Sequence, residues 1–169
     1  RGLGDVYKRQ GWARIVKNGR TVNIVTLHLW PQAYAYRATD VAASRDAHEG
    51  DRYRRMEIEY ICRHTIGTAP RAAEELWVML GDNNSWSRLD NWFYKCPEDD
   101  PRLLTQDYVL EHTPYVDVIA RQHPGRFQTT THSEKRIDFV YCTPALYDCV
   151  TRAEVVRDDY CLLYTSDAA

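Results

Sequence analysis

WVMLGDNNSWSRLDNW, residues 77–92, begins as an apolar run and ends as a polar stretch dense in acids and amides. Trp77, Val78, Met79 and Leu80 have the length of one buried strand, and Gly81 ends it where a backbone can approach a ligand closely. Asp82 and Asn84 are two positions apart, so an extended backbone through Asn83 puts a carboxylate and a neutral amide on one face. That pair suits phosphate chemistry. The carboxylate can hold a hard cation or take a proton from water, and the amide can donate to a phosphoryl oxygen without adding negative charge. A polar turn after a core strand is the plain alternative for a bare Gly-Asp-x-Asn.

Toward the N-terminus, residues 14–30 read as two β-rich runs around Asn18-Gly19, a strong hairpin signal. The second run, residues 22–29, is apolar on both sides, which predicts a strand covered on both faces. His28 stands near its end, and Trp30-Pro31 breaks it. Residues 32–51 read as a surface loop or loose helix. A firmer helix is expected over 51–66, with Tyr53, Met56, Tyr60 and Ile61 on the buried stripe, Arg52, Arg54, Arg55, Glu59 and Arg63 on the solvated side, and Gly67 as C-cap. Cys62 and His64 diverge on such a helix and predict no metal site.

Beyond the opening stretch, Ser87, Arg88 and Asp90 are candidates for the mouth of a site. Trp86 and Trp92 are read as packing or a substrate rim. Residues 103–110 and 115–121 show short helical patterns, and His123-Pro124-Gly125 turns out of them. A strand is expected over 136–141, followed by a turn at Thr143-Pro144 and a last strand over 153–156. Asp138 interrupts the apolar residues Ile137, Phe139 and Val140, and a carboxylate buried there needs a partner from elsewhere in the fold.

The two ends read as sequence of another origin. Written as GAT GTG TAT AAG AGA CAG, residues 5–10 have a reverse complement that, read one base out of phase, encodes Cys-Leu-Leu-Tyr-Thr and the start of a serine codon. Residues 161–166 are that string. Both ends resemble translated transposase adapters from sequencing libraries, so residues 1–10 and 161–169 are set aside as artefact and 11–160 are read as one partial domain. Composition adds exclusions. A net charge of −2 and a pI near 6.3 give no global basic field for nucleic acid. There is no CxxC, no P-loop, no GxSxG and no apolar run of membrane-spanning length.

Three spaced elements now line up: Thr26-Leu27-His28-Leu29, Gly81-Asp82-Asn83-Asn84, and Arg136-Ile137-Asp138-Phe139-Val140-Tyr141 before Thr143-Pro144. In this order they resemble the endonuclease/exonuclease/phosphatase superfamily, the fold of pancreatic deoxyribonuclease, neutral sphingomyelinases and inositol-polyphosphate phosphatases. Gly-Asp-Asn-Asn differs from the commoner Gly-Asp-Phe-Asn at Asn83, between the two functional positions. Leu27-His28-Leu29-Trp30-Pro31-Gln32 and Ser87-Arg88-Leu89-Asp90-Asn91-Trp92 are also similar to members from Bacteroidetes-type bacteria. The resemblance spans nearly all of 11–160.

It implies an α/β four-layer sandwich, two mostly antiparallel β-sheets flanked by helices, incomplete at both ends. As catalytic residues it implies His28, Asp82, Asn84 and Asp138. Asp82 would deprotonate or position the attacking water or help hold the metal, and Asn84 would contact the scissile phosphate with Ser87 and Arg88 nearby. His28 would bond the phosphate or aid the leaving group, and Asp138 would orient the family's last histidine. That histidine, in a Ser-Asp-His motif, is expected after Tyr160, and the early Asn and the main metal-binding Glu before Gly11. The implied cofactor is Mg2+, or Mn2+ or Ca2+. The implied reaction is in-line attack of water on a phosphate ester, with nucleic acid among the candidate substrates. A phosphomonoesterase of the same fold and a catalytically inactive module that binds nucleic acid or a phospholigand are the alternatives. A third reading makes Asp82 and Asn84 a turn and Asp138 a structural ion pair. Trp86, Trp92, Tyr34 and Tyr36 can stack on bases, although cores use aromatics more often.

Overall fold

The computed structural model describes residues 10–156, so residues 1–9, the adapter-like stretch 161–169 and the Asp158-Asp159-Tyr160 end lie outside the described residues. Asn18 and Gly19 both take positive φ (51° and 73°), the backbone of a tight hairpin turn, and join strands β1 (Gly11–Lys17) and β2 (Arg20–His28). After β2 come helices α1 (Val41–Asp46) and α2 (Glu49–His64), which cross over to β3 (Leu76–Asp82), parallel to β2. Short helix α3 (Asn91–Tyr94), helix α4 (Leu104–His112), the two-residue strand β4 (Val116–Asp117) and helix α5 (Val118–Gln122) precede β5 (Asp138–Cys142). Helix α6 (Pro144–Tyr147) follows it.

The sheet is five-stranded in the order β1-β2-β3-β5-β4, with β2 and β3 parallel and the other neighbours antiparallel. The expected α/β class and mostly antiparallel pairing are therefore present. The described residues form one sheet rather than two. Its better covered face carries Val25, Leu27, Trp77, Met79, Phe139 and Tyr141, packed against Ile58, Ile61 and Cys62 of α2 and Tyr108 and Val109 of α4. Among the described residues the opposite face is less covered. Val22, Ile24, Val78, Leu80 and Val140 are only half-buried there, and Ile15 is 51% exposed. This corrects the expectation that the second strand is covered on both sides: burial along it alternates, as for a strand with one packed face.

Helix α2 is where sequence pattern and packing diverge most. Met56 and Tyr60 are 57% and 61% exposed, whereas Arg54 is 4% exposed. The helix is rotated so that Arg54 reaches under the chain leaving β2, where its Nη1 donates to the carbonyls of Trp30 and Gln32 and its Nη2 to Asp51. Three hydrogen bonds compensate a burial that apolar periodicity alone cannot anticipate. The helix ends at His64 with Thr65 as its C-cap, and Gly67 sits in the following 3-10 turn instead. Residues 153–156 form no strand, and residues 116–117 pair with β5 where a helix was expected.

Candidate functional site

β3 and β5 each deliver one carboxylate to the same end of the less covered face. His28 pairs across the β2–β3 ladder with Asp82, and Asp82 pairs across the β3–β5 ladder with Asp138. Directly opposed residues project from the same side of a sheet, so the three side chains form one row over three adjacent strands. His28 Nε2 stands 3.8 Å from Asp82 Oδ2, with both side chains about one-third exposed. Apolar Leu80 and Val140 occupy the next position inward on β3 and β5.

Gly81 makes this row possible. Its φ is +142°, and a Cβ there would lie 1.9 Å from the carbonyl oxygen of Leu27 on the neighbouring strand. Only a glycine lets the strands stay paired up to Asp82. Past Asp82 the chain turns sharply: Asn84 takes a left-handed φ of 48° and its backbone N–H donates to Asp82 Oδ1 at 2.8 Å. Extended geometry therefore stops before Asn84, and its side-chain amide is already engaged, donating to the Leu29 carbonyl at 3.2 Å. Leu29 in turn donates its N–H to the Asp82 carbonyl, so the ends of β2 and β3 are laced together. Asn83 is buried and its side-chain Nδ2 has no partner among the described residues.

Burial pushes the Asp82 carboxyl up from the ordinary 3.8 to about 6. The Asn84 N–H opposes this, the Asp138 charge adds to it, and His28 and Arg54 pull the other way. A carboxyl poised there can exchange a proton near neutrality, which suits a general base. Asp138 itself is exposed. The argument that a buried charge on this strand must find a partner applies instead to Arg136, which is 1% exposed and bound to Asp90 and Asp117. β5 starts two residues later than expected, and Thr130 Oγ1 accepts from the N–H groups of Ile137, just ahead of it, and of Asp138, its first residue. Thr130 and Arg54 were not singled out from sequence, because nothing local distinguishes them from loop and surface residues.

The other sequence candidates are committed elsewhere. Ser87 is fully buried and caps a 3-10 turn through Leu89 N–H. Arg88 forms a forked pair with Asp107 and also contacts Glu98. Asp90 belongs to the Arg136 cluster. Trp86 lies between the Tyr94 ring, stacked at 4.3 Å, and the Arg102 guanidinium, so it packs; Trp92 is half-exposed.

Asp82, Asp138 and the Asn84 amide oxygen are hard donors of the kind that Mg2+ takes. No group of three His, Cys, Asp or Glu among the described residues could hold a metal ion, so these donors fit the ion in kind and fall short in number. A cleft of about 510 Å3 lies at the opposite end of the strands, lined by Arg14, Arg20, Asn23 and Glu74 among others, away from this row. No helix among the described residues is long and apolar enough to cross a membrane.

No protein-family model matches the chain, and neither does any curated protein. Among solved structures, the fold is similar to that of a β-hairpin deletion mutant of beta toxin from Staphylococcus aureus, with a TM-score of 0.50 and 15% sequence identity over 87% of this chain and 48% of that one. At this identity the likeness relates the two folds alone. This chain spans about half the length of that structure.

Proposed function

We propose that this chain is part of a metal-dependent phosphoric ester hydrolase, a nuclease or phosphodiesterase, and that residues 11–160 are a portion of its deoxyribonuclease-like domain flanked by adapter-derived ends. The observation that carries the reading is the row His28, Asp82, Asp138, in which residues from three separate motifs meet on adjacent strands. In this reading Asp82 takes the proton of the attacking water, and its raised carboxyl suits that task. His28, 3.8 Å away, hydrogen-bonds the phosphoryl group or the leaving oxygen, and Asn84 meets the scissile phosphate through the amide N–H that its bond to the Leu29 carbonyl leaves over. Asp138, exposed on the neighbouring strand, is free to orient a histidine supplied by the rest of the domain. Mg2+ would share Asp82 with a glutamate outside this chain and would supply neutralisation of phosphoryl charge.

The less covered apolar face supports the two-sheet architecture. A row of half-buried Val, Ile and Leu running away from the polar residues is what a second sheet would cover, with the site at the seam. The test is to recover the complete reading frame, express it, and assay Mg2+-dependent hydrolysis of bis-p-nitrophenyl phosphate, DNA and RNA. The expected result is turnover that Asp82→Asn and His28→Ala each lower by about 100-fold or more. Residues 11–160 alone are expected to be inactive or nearly so. Wild-type activity in either variant, or robust Mg2+-dependent activity from 11–160, overturns the assignment.

A further inference from the structure

Beside the row lies a cluster of buried charges with no part in the chemistry just described. The Arg136 guanidinium donates through Nη1 and Nη2 to the two carboxylate oxygens of Asp117 (3.0 and 2.7 Å) and through Nε to Asp90 (2.7 Å). All three side chains are at most 8% exposed. One cation against two carboxylates leaves a surplus negative charge in the interior. An ion cluster of this kind is a poor way to gain stability compared with apolar packing. What a planar, forked guanidinium does well is fix directions.

The directions fixed here are those of the site. Asp90 lies in the segment that leaves Asp82 and Asn84, and Asp117 ends β4 and caps α5 by accepting from the Ala120 N–H. Arg136 stands two residues ahead of Asp138. The segment leaving Asp82 and the one leading into Asp138 are tied twice more: Asn83 N–H donates to the Ile137 carbonyl (2.8 Å), and Arg136 N–H donates to the Tyr94 hydroxyl (2.8 Å). Tyr94 is itself held by its stack on Trp86.

We infer that Arg136, gripped by Asp90 and Asp117, is a positioning residue that sets the separation of the Asp82 and Asp138 carboxylates. This rests on the reading of those carboxylates as site residues. A lysine keeps the charge of Arg136 and cannot span both acids. A cluster that only stabilises the fold would, when weakened, loosen the whole domain alike; a cluster that positions the site loosens it locally.

The experiment is backbone amide exchange by NMR on wild-type chain, Arg136→Lys and Asp90→Ala. Asp90→Ala keeps the forked Arg136–Asp117 pair and so carries the test if Arg136→Lys does not fold. The expected result is about 10- to 100-fold loss of protection at Asn83, Ile137 and Asp138, with Ile58 and Ile61 in α2 changed far less. Equal loss at all five amides, or no loss at the first three, overturns the inference. In the complete reading frame the same variants are expected to lower kcat by about 10- to 100-fold with little change in KM. A wild-type protein without phosphoesterase activity would sink the functional reading, and the amide result would still decide the positional one.

Discussion

Asp82 is a carboxyl whose ionised form is disfavoured by burial, and that has a definite consequence for stability. Its folded-state value of about 6 lies above the ordinary 3.8, so the folded chain holds a proton that the unfolded chain has released between those two pH values. The stability this group contributes is full below about pH 4, falls as pH rises through about 6, and is flat beyond. Metal-free Asp82→Asn should therefore be more stable than wild type near pH 7, by at most about 2–3 kcal/mol, with the gap closing toward pH 4. Urea midpoints at the two pH values check this, and a gap that widens in acid would contradict it. One residue earlier the expectation is the reverse. Gly81→Ala must place a methyl group against the Leu27 carbonyl at a φ that L residues rarely adopt, and should cost roughly 2–4 kcal/mol. An unchanged thermal midpoint would show that β2 and β3 can part there freely.

At the scale of elements, the exposure of Met56 and the burial of Ile58 make α2 a direct test of which face packs. Ile58→Ala should cost about 2–5 kcal/mol, because Ile58 is fully enclosed among Val109 and its neighbours, whereas Met56→Ala should stay within about 0.5 kcal/mol. Comparable costs at both positions, measured by denaturant unfolding, would mean the helix is turned otherwise. The same helix explains what the sequence made legible. The hairpin, the two longest helices and the strand ending at Asp82 were readable because turn residues and apolar runs are local signals, and His28, Asp82 and Asp138 could be proposed as site residues because three motifs keep their order. Arg54 and Arg136 were not. Each is a charge that burial tolerates only through partners far along the chain, such as Trp30 for the first and Asp117 for the second. The left-handed turn at Asn84 was equally hidden, since it depends on the Asp82 carboxylate accepting its N–H.

For the molecule as a whole, the decisive feature is a sheet whose faces are unequally covered among the described residues: α2 and α4 pack on one, and most apolar side chains of the other are only half-buried. Its less covered side places Val22, Ile24, Val78, Leu80 and Val140 in adjoining cross-strand positions, which makes a contiguous apolar surface rather than scattered side chains. A surface of that kind binds whatever apolar partner is at hand, and in a solution of this chain alone the partner is another copy. The chain is therefore expected to self-associate in a concentration-dependent way and to bind an apolar dye. Exchanging Ile24, Val78 and Val140 together for Thr keeps β-branched residues on the strands, and so leaves the pairing intact, while making the face more polar. Sedimentation velocity should then show association weakened by about tenfold or more, with the far-ultraviolet circular dichroism unchanged. Association that persists in the triple variant would locate the contact elsewhere, on the outer edge of β1, which is unpaired among the described residues and where Trp12 and Val16 are also exposed.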